Sequence, residues 1–304
     1  MDGDGEGLLP LIANEATVSV PAPVAIVADA VRRRHGRSVA AVLFYGSCLR
    51  DRYGEDKMVD LYVLTDGYDR VHTTWLMRTL NQLLPPNVYF IEAPNAEGRV
   101  RAKYSIVSLD HFERLTTDRT FHPYFWARFA QPTAIAWARD AATTKRVVTA
   151  LARAVVTLLG EVRPLLPAGV SPRELWVRAF HETYRSELRA ERSEQANRLY
   201  AAAAARYDAV AAAWTELAEE SWSADDVRRR AERHWRRRRL FGKVLSVLRL
   251  TKAALTFHDG AGYLAWKIER HSGVAVRLTA RQRRHPLLTS ITLFWRLYRK
   301  DAFR

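Results

Sequence analysis

Segments that read as strands alternate with helical ones over residues 23–140 and then give way to helices, and that one-sided distribution limits the folds open to the chain. Residues 38–45 (SVAAVLFY) read as a buried strand that enters Gly46-Ser47, and residues 58–64 (MVDLYVL) as a second strand. Residues 87–92 and 102–108 read as two further strands around a turn at Asn95 to Gly98, and Pro132 to Ala138 as another. Helical patterns lie between them. Residues 23–36 form a short amphipathic helix ending at Gly36, and Leu76 to Leu84 form one stopped by Pro85-Pro86.

From about residue 142 the pattern is helical. Ser171-Pro172-Arg173-Glu174 combines Ser at the N-cap, Pro at the first helical position and Glu at the third. Ser223 to Asp226 opens another helix, and residues 194–220 are Ala-rich. The expectation is an α+β chain in four parts. Residues 1–22 form a flexible arm, 23–141 a mixed sheet with helices, 142–274 a mostly α-helical domain, and 275–304 a basic amphipathic tail.

Composition narrows the function classes. At 304 residues and 48% hydrophobic content the chain buries a sizeable core, which excludes a largely disordered protein. A single cysteine, Cys48, excludes a disulfide framework and any multi-cysteine metal site, and reads as a small buried thiol. The nine histidines show no metal-ligand spacing. No apolar run reaches the ~18 residues of a spanning helix. The acidic N-terminus (Asp2, Asp4, Glu6) lacks the basic region of a signal peptide. The expected location is cytoplasmic, peripheral to the inner face of the membrane.

The net charge of +15 is concentrated. Residues 228–304 carry 21 Lys/Arg against 4 Asp/Glu, whereas residues 1–227 carry 27 against 29. Such asymmetry points to a polyanionic partner, either an anionic membrane surface or nucleic acid. Arg228 to Arg230 with Arg236 to Arg239 reads as a broad cationic surface near Trp235. In the tail, Leu287, Ile291, Phe294, Trp295 and Tyr298 recur at helical spacing, with Arg296, Arg299 and Lys300 among them. That suits a helix lying in a membrane interface, or one docking its apolar side on the core.

The strongest local signal is a strand, Gly46-Ser47, an interval, then Asp60 on a second strand. Glycine lets the backbone approach a phosphate, and the Ser47 hydroxyl adds a donor beside exposed N–H groups. A strand carboxylate such as Asp60 offers a ligand to the divalent cation of a triphosphate. This order resembles the nucleotidyltransferase superfamily of DNA polymerase β, in which Gly-Ser is followed by Asp-x-Asp; here the second position is Tyr62.

Four segments in order resemble the mitochondrial CDP-diacylglycerol synthases of the translocator assembly and maintenance type. They are Phe44 to Ser47 with Lys57 to Asp66, then Asn87 to Phe90 with Gly98-Arg99 and Lys103 to Ser108, then Tyr124 to Pro132, and finally Tyr184 to Arg189. The resemblance implies a polymerase-β-like nucleotidyltransferase sheet and phosphatidate cytidylyltransferase activity. CTP and phosphatidic acid would give CDP-diacylglycerol and pyrophosphate, with Mg²⁺, at the membrane surface.

On that reading Tyr45, Gly46, Ser47 and Lys103 bind the nucleotide, Asp60 and Lys103 are the catalytic pair, and Asp60 holds the metal. Asp66, Glu92 or Glu187 would supply a second carboxylate, and the sequence does not choose among them. Asp66 also reads as a turn former, Glu92 as a solvated strand end and Lys103 as a snorkelling edge-strand lysine. Arg128 and Arg189 would bind the lipid phosphate or the pyrophosphate. Two other functions stay open. One is a nucleotidyltransferase acting on RNA or a small molecule; the other is a catalytically inactive protein that binds lipid or nucleic acid.

Overall fold

A computed structural model describes residues 7–50, 58–96, 98–187, 193–215 and 225–256. Five strands are present: β1 (Val39–Tyr45), β2 (Val59–Thr65), β3 (Asn87–Asn95), β4 (Gly98–Ser108) and β5 (Thr133–Ala138). They form one sheet in the order β3-β4-β2-β1-β5. β2 and β4 are parallel, and every other neighbouring pair is antiparallel. β1 is buried along its whole length, which is why it reads as an unbroken apolar run rather than an alternating one.

Eleven α-helices are found among the described residues: α1 (Leu8–Ala16), α2 (Ala22–His35), α3 (Ser47–Arg50), α4 (Trp75–Leu83), α5 (Leu109–Leu115), α6 (Trp126–Phe129), α7 (Ala141–Val162), α8 (Pro172–Arg185), α9 (Ser193–Ala201), α10 (Ala204–Thr215) and α11 (Asp225–Thr256). The capping box expected at Ser171 and Glu174 is formed. Within the described part of the Ala-rich stretch, α9 and α10 are separated at Ala202-Ala203. Among the described residues no helix is long and apolar enough to cross a membrane.

The sheet separates two cores. On one face Val24, Val27, Ala28 and Val31 of α2 pack on Val42, Phe44, Leu61, Val63 and Ile106. On the other face Leu43, Tyr45, Tyr62, Leu64 and Val107 meet α1, α5, α6 and α7, and the same cluster continues into α8, α10 and α11. The helical half is therefore packed as one core with the sheet.

Residues 8–16 correct the expected flexible arm. Leu8, Ile12 and Ala16, one turn apart on α1, are buried, and Glu15 receives Arg206 at 2.6 Å. The cationic run on α11 is also corrected. Arg238 is 2% exposed and pairs with both Glu161 oxygens at 2.6 and 2.7 Å, while Arg239 reaches buried Glu182 at 2.8 Å. A helix turns one residue in three or four inward, so two of those arginines face carboxylates in the core rather than solvent. Gly242 lies on the same inward side. A methyl there would overlap the Ser186 carbonyl and His122, so only glycine admits this approach. The tail 275–304, including Leu287, Ile291, Phe294, Trp295, Arg296, Tyr298, Arg299 and Lys300, lies outside the described residues.

Several histidines are held neutral. Burial, then Arg34, lowers His35 to about 4; burial, then His35, Lys252 and Arg78, lowers His72 to about 4. His72 accepts from Asn81 at Nε2 (2.9 Å) and meets the Tyr89 hydroxyl at Nδ1 (3.0 Å), so both ring nitrogens are used by the fold. Burial, then Arg114, lowers His111 to about 4. As pH falls below about 6.5 these groups protonate first in the unfolded chain, which then binds more protons than the folded one. Stability is therefore full above pH ~6.5 and declines as pH falls towards about 4. Denaturant unfolding at pH 7.5 and pH 5 should give a lower midpoint at pH 5; equal midpoints would contradict this assignment.

Candidate functional site

One row of the sheet carries the site. Tyr45 on β1 lies opposite Asp60 on β2, and Asp60 lies beside Lys103 on β4. Side chains alternate across a sheet, so these three share the face on which Tyr45 and Tyr62 meet the helices. Lys103 Nζ is 3.0 Å from Asp60 Oδ1, with the two side chains 33% and 25% exposed. The parallel pairing of β2 and β4, which sets Asp60 beside Lys103, places this contact.

β1 ends at the row, and the chain turns at Gly46, whose φ is +90°. A Cβ on Gly46 would lie 3.0 Å from Asp60 Oδ2. Glycine thus meets two needs here, a left-handed backbone and a close approach to the carboxylate. Ser47 follows as the first residue of α3.

A cleft of about 230 Å³ opens over the row. Tyr45, Gly46, Ser47, Asp60 and Lys103 line one side. Ala127, Arg128, Gln131 and Pro132, on and after α6, line another, and Thr183, Tyr184 and Glu187 at the end of α8 close it. Seven residues predicted from sequence therefore share one cavity: Tyr45, Gly46, Ser47, Asp60, Lys103, Arg128 and Glu187. They come from segments up to 142 positions apart.

Arg128 is held by aromatic groups. Its guanidinium donates to the Tyr45 hydroxyl at 3.2 Å and stands 5.5 Å from the Tyr45 ring and 4.6 Å from the Tyr124 ring. Arg249 of α11 stacks on Tyr124 at 4.1 Å and donates to the Pro85 carbonyl at 3.2 Å. Tyr124 thus sits between two guanidinium groups. Burial pushes its hydroxyl up, but Arg128 and Arg249 outweigh that and leave it below the usual tyrosine range. Burial raises Tyr45, with Arg128 opposing, so Tyr45 is a neutral hydroxyl beside a cation.

Position 62 has a structural role. Tyr62 is fully buried, 4.9 Å from the Phe129 ring, 5.8 Å from Phe125 and 5.2 Å from the cleft residue Tyr45. An aspartate at this position would be enclosed by aromatic rings. Asp66 and Glu92 are placed elsewhere. Asp66 follows the end of β2, six residues beyond Asp60 and about 20 Å away at strand rise, and binds Arg139 through both oxygens at 2.6 and 2.8 Å. Arg139, by hydrogen bond, holds that carboxyl below its ordinary range. Glu92 is on the edge strand β3, bonded to Arg101 at 2.7 Å and Arg99 at 3.3 Å. Neither lines the cleft, so neither serves as a second carboxylate there. Arg189 lies outside the described residues. Cys48 is buried and donates to the Met58 carbonyl at 3.1 Å, the packing role expected of it.

Among the described residues no group of three or more His, Cys, Asp or Glu forms a metal cage. The cleft offers Asp60 and Glu187. One or two carboxylates fit a Mg²⁺ that arrives on a triphosphate and takes its remaining ligands from phosphate and water. Sequence reasoning missed Tyr124 as a mount for Arg128, although it lies in the 124–132 segment singled out above. It also missed Arg249, which carries no local signal and is set in place only by α11 packing. No protein-family model and no curated protein matches the chain.

Gly46→Ala should destabilise the protein by about 1–3 kcal/mol, from the positive φ and the crowding of Asp60. Gly160→Ala, in α7 with nothing within 4 Å of the added methyl, should instead stabilise it by about 0.5–1 kcal/mol. Denaturant unfolding of both variants checks this pair, and equal effects would contradict the assigned role of Gly46.

Proposed function

We propose that the chain is a Mg²⁺-dependent nucleotidyltransferase of the phosphatidate cytidylyltransferase kind, converting CTP and phosphatidic acid to CDP-diacylglycerol and pyrophosphate at a membrane surface. The observation that carries this reading is the convergence of Gly46, Ser47, Asp60, Lys103, Arg128 and Glu187 on one cleft. The choice of CTP and of a lipid phosphate rests on the resemblance of the segments around residues 44–66, 87–108, 124–132 and 184–189.

In this reaction an oxygen of the phosphatidic acid phosphate attacks the α-phosphorus of CTP. A P–O bond forms there, the bond to the β-phosphate breaks, and pyrophosphate departs. The attacking phosphate is already ionised near neutral pH, so the site needs positioning and charge neutralisation rather than a strong base. Gly46 and Ser47 cradle the triphosphate through backbone N–H groups and the hydroxyl. Lys103 moves from Asp60 to the triphosphate oxygens and neutralises them. Asp60, released from that pair, holds the cation, with Glu187 as second carboxylate. Bound Mg²⁺ supplies Lewis-acid stabilisation of the triphosphate and the leaving pyrophosphate. Arg128, always charged and braced by Tyr45 and Tyr124, holds the incoming lipid phosphate.

One observation favours a second reading, a nucleotide-binding protein without turnover. The Asp60 carboxylate already has an ammonium partner, and position 62 supplies no carboxylate. Pyrophosphate release from CTP and Mg²⁺, with and without phosphatidic acid vesicles, separates the two. Lipid-dependent release that falls at least about 100-fold in Asp60→Ala is expected. No release, or release unchanged in that variant, would overturn the proposal.

A further inference from the structure

We propose that the outward face of α11 is a membrane-docking surface, and that its partner is an anionic bilayer. The two sides of α11 differ sharply. Its inward side is committed to the fold. Ala231, Trp235 and Arg238 are buried, Gly242 lies against Ser186, and Lys252 donates to the Pro86 carbonyl at 2.7 Å. Its outward side carries Leu240, Phe241, Val244 and Leu248, which are 68%, 54%, 52% and 49% exposed. Leu240, Val244 and Leu248 are each one turn apart, so they form a stripe along the helix.

Arg236, Arg237 and Lys243 flank that stripe and are exposed, with Arg230 and Arg233 exposed further up the helix. Aliphatic side chains bordered by bases match a bilayer surface, where the apolar stripe enters the acyl boundary and the bases meet anionic headgroups. Two other occupants fit less well. An RNA backbone would use the bases but leaves three aliphatic side chains with no partner. The chain's own residues 275–304 are strongly basic, and like charge opposes packing them against this arginine-rich helix.

The same helix also reaches the cleft from its inward side. The helix that presents this stripe holds Arg249 on Tyr124, and Tyr124 stacks on Arg128. A helix is about 10 Å thick, so docking brings the bilayer to the wall behind the proposed lipid-phosphate residue. The inference deepens the reading above and rests on it only for the identity of the lipid substrate.

The test is flotation of the full chain with vesicles of phosphatidylcholine alone or mixed with phosphatidic acid. Wild type should float with the mixed vesicles and release on raising salt. The double variant Leu240→Glu/Val244→Glu should lose about tenfold or more in vesicle affinity with its melting temperature unchanged. Arg236→Ser/Arg237→Ser should lose a similar amount at low salt. Undiminished flotation of Leu240→Glu/Val244→Glu would overturn the proposal in favour of the tail alone. A lowered melting temperature in that variant would overturn it by showing the stripe covered within the chain. Wild type that binds RNA but no vesicle would overturn it in favour of nucleic acid. Flotation reads docking without turnover, and pyrophosphate release reads turnover. Normal flotation without turnover would therefore sink the reaction alone, and turnover on detergent-dispersed phosphatidic acid without flotation would sink the docking alone.

Discussion

The parallel pairing of β2 with β4 is the constraint on which the site depends. It puts Asp60 beside Lys103, a contact of 3.0 Å between residues 43 positions apart in sequence. Parallel neighbours cannot be joined by a tight turn, so the chain must leave the sheet after β2 and return. It leaves through α4 and re-enters as β3 at the edge, which then turns back into β4 beside β2. β1 on the other flank then ends at the same row, and the Gly46 turn closes over the carboxylate. A local ion pair is thus the product of the topology of the entire sheet.

The cleft is completed by a layered set of cations and aromatic rings. Arg128 stands between Tyr45 and Tyr124, and Arg249 covers the far side of Tyr124. Guanidinium groups stack on ring faces at little cost in hydration, which suits arginine and not lysine to these places. Arg249 comes from α11, and α11 is anchored by Trp235, Arg238 and Gly242. The position of Arg128 is therefore tied to a helix whose outer side faces away from the cleft. Coupling between an event on that outer side and the cleft needs no longer path than this stack.

Much of this was legible in the residues, and the exceptions share a physical cause. β1 and β2 were readable because burial on both faces leaves a continuous apolar run that turn residues bound cleanly. Gly46, Ser47, Asp60 and Lys103 were readable because each stands at a strand end or as a charge inside an apolar strand. α1 was not, because Gly-rich acidic residues precede it and a nine-residue helix offers only Leu8, Ile12 and Ala16 as its pattern. Asp66 and Glu92 were misplaced because nearness along a strand is not nearness in space, and each had an arginine partner from another strand or connection. Arg238 and Arg239 carry no mark in an arginine-rich run that distinguishes inward from outward, and Arg249 stands alone among apolar residues. Only the phase of the helix against Glu161, Glu182 and Tyr124 decides that.

The proposed function requires the Asp60–Lys103 row to be a metal-dependent triphosphate site. Calorimetric titration of CTP into the full chain, with and without Mg²⁺, for wild type and Asp60→Asn tests it most directly. The account predicts Mg²⁺-dependent binding in wild type, weakened by about tenfold or more in Asp60→Asn, which is ~1.4 kcal/mol or more. Binding that is the same without Mg²⁺, or unchanged in Asp60→Asn, would contradict it.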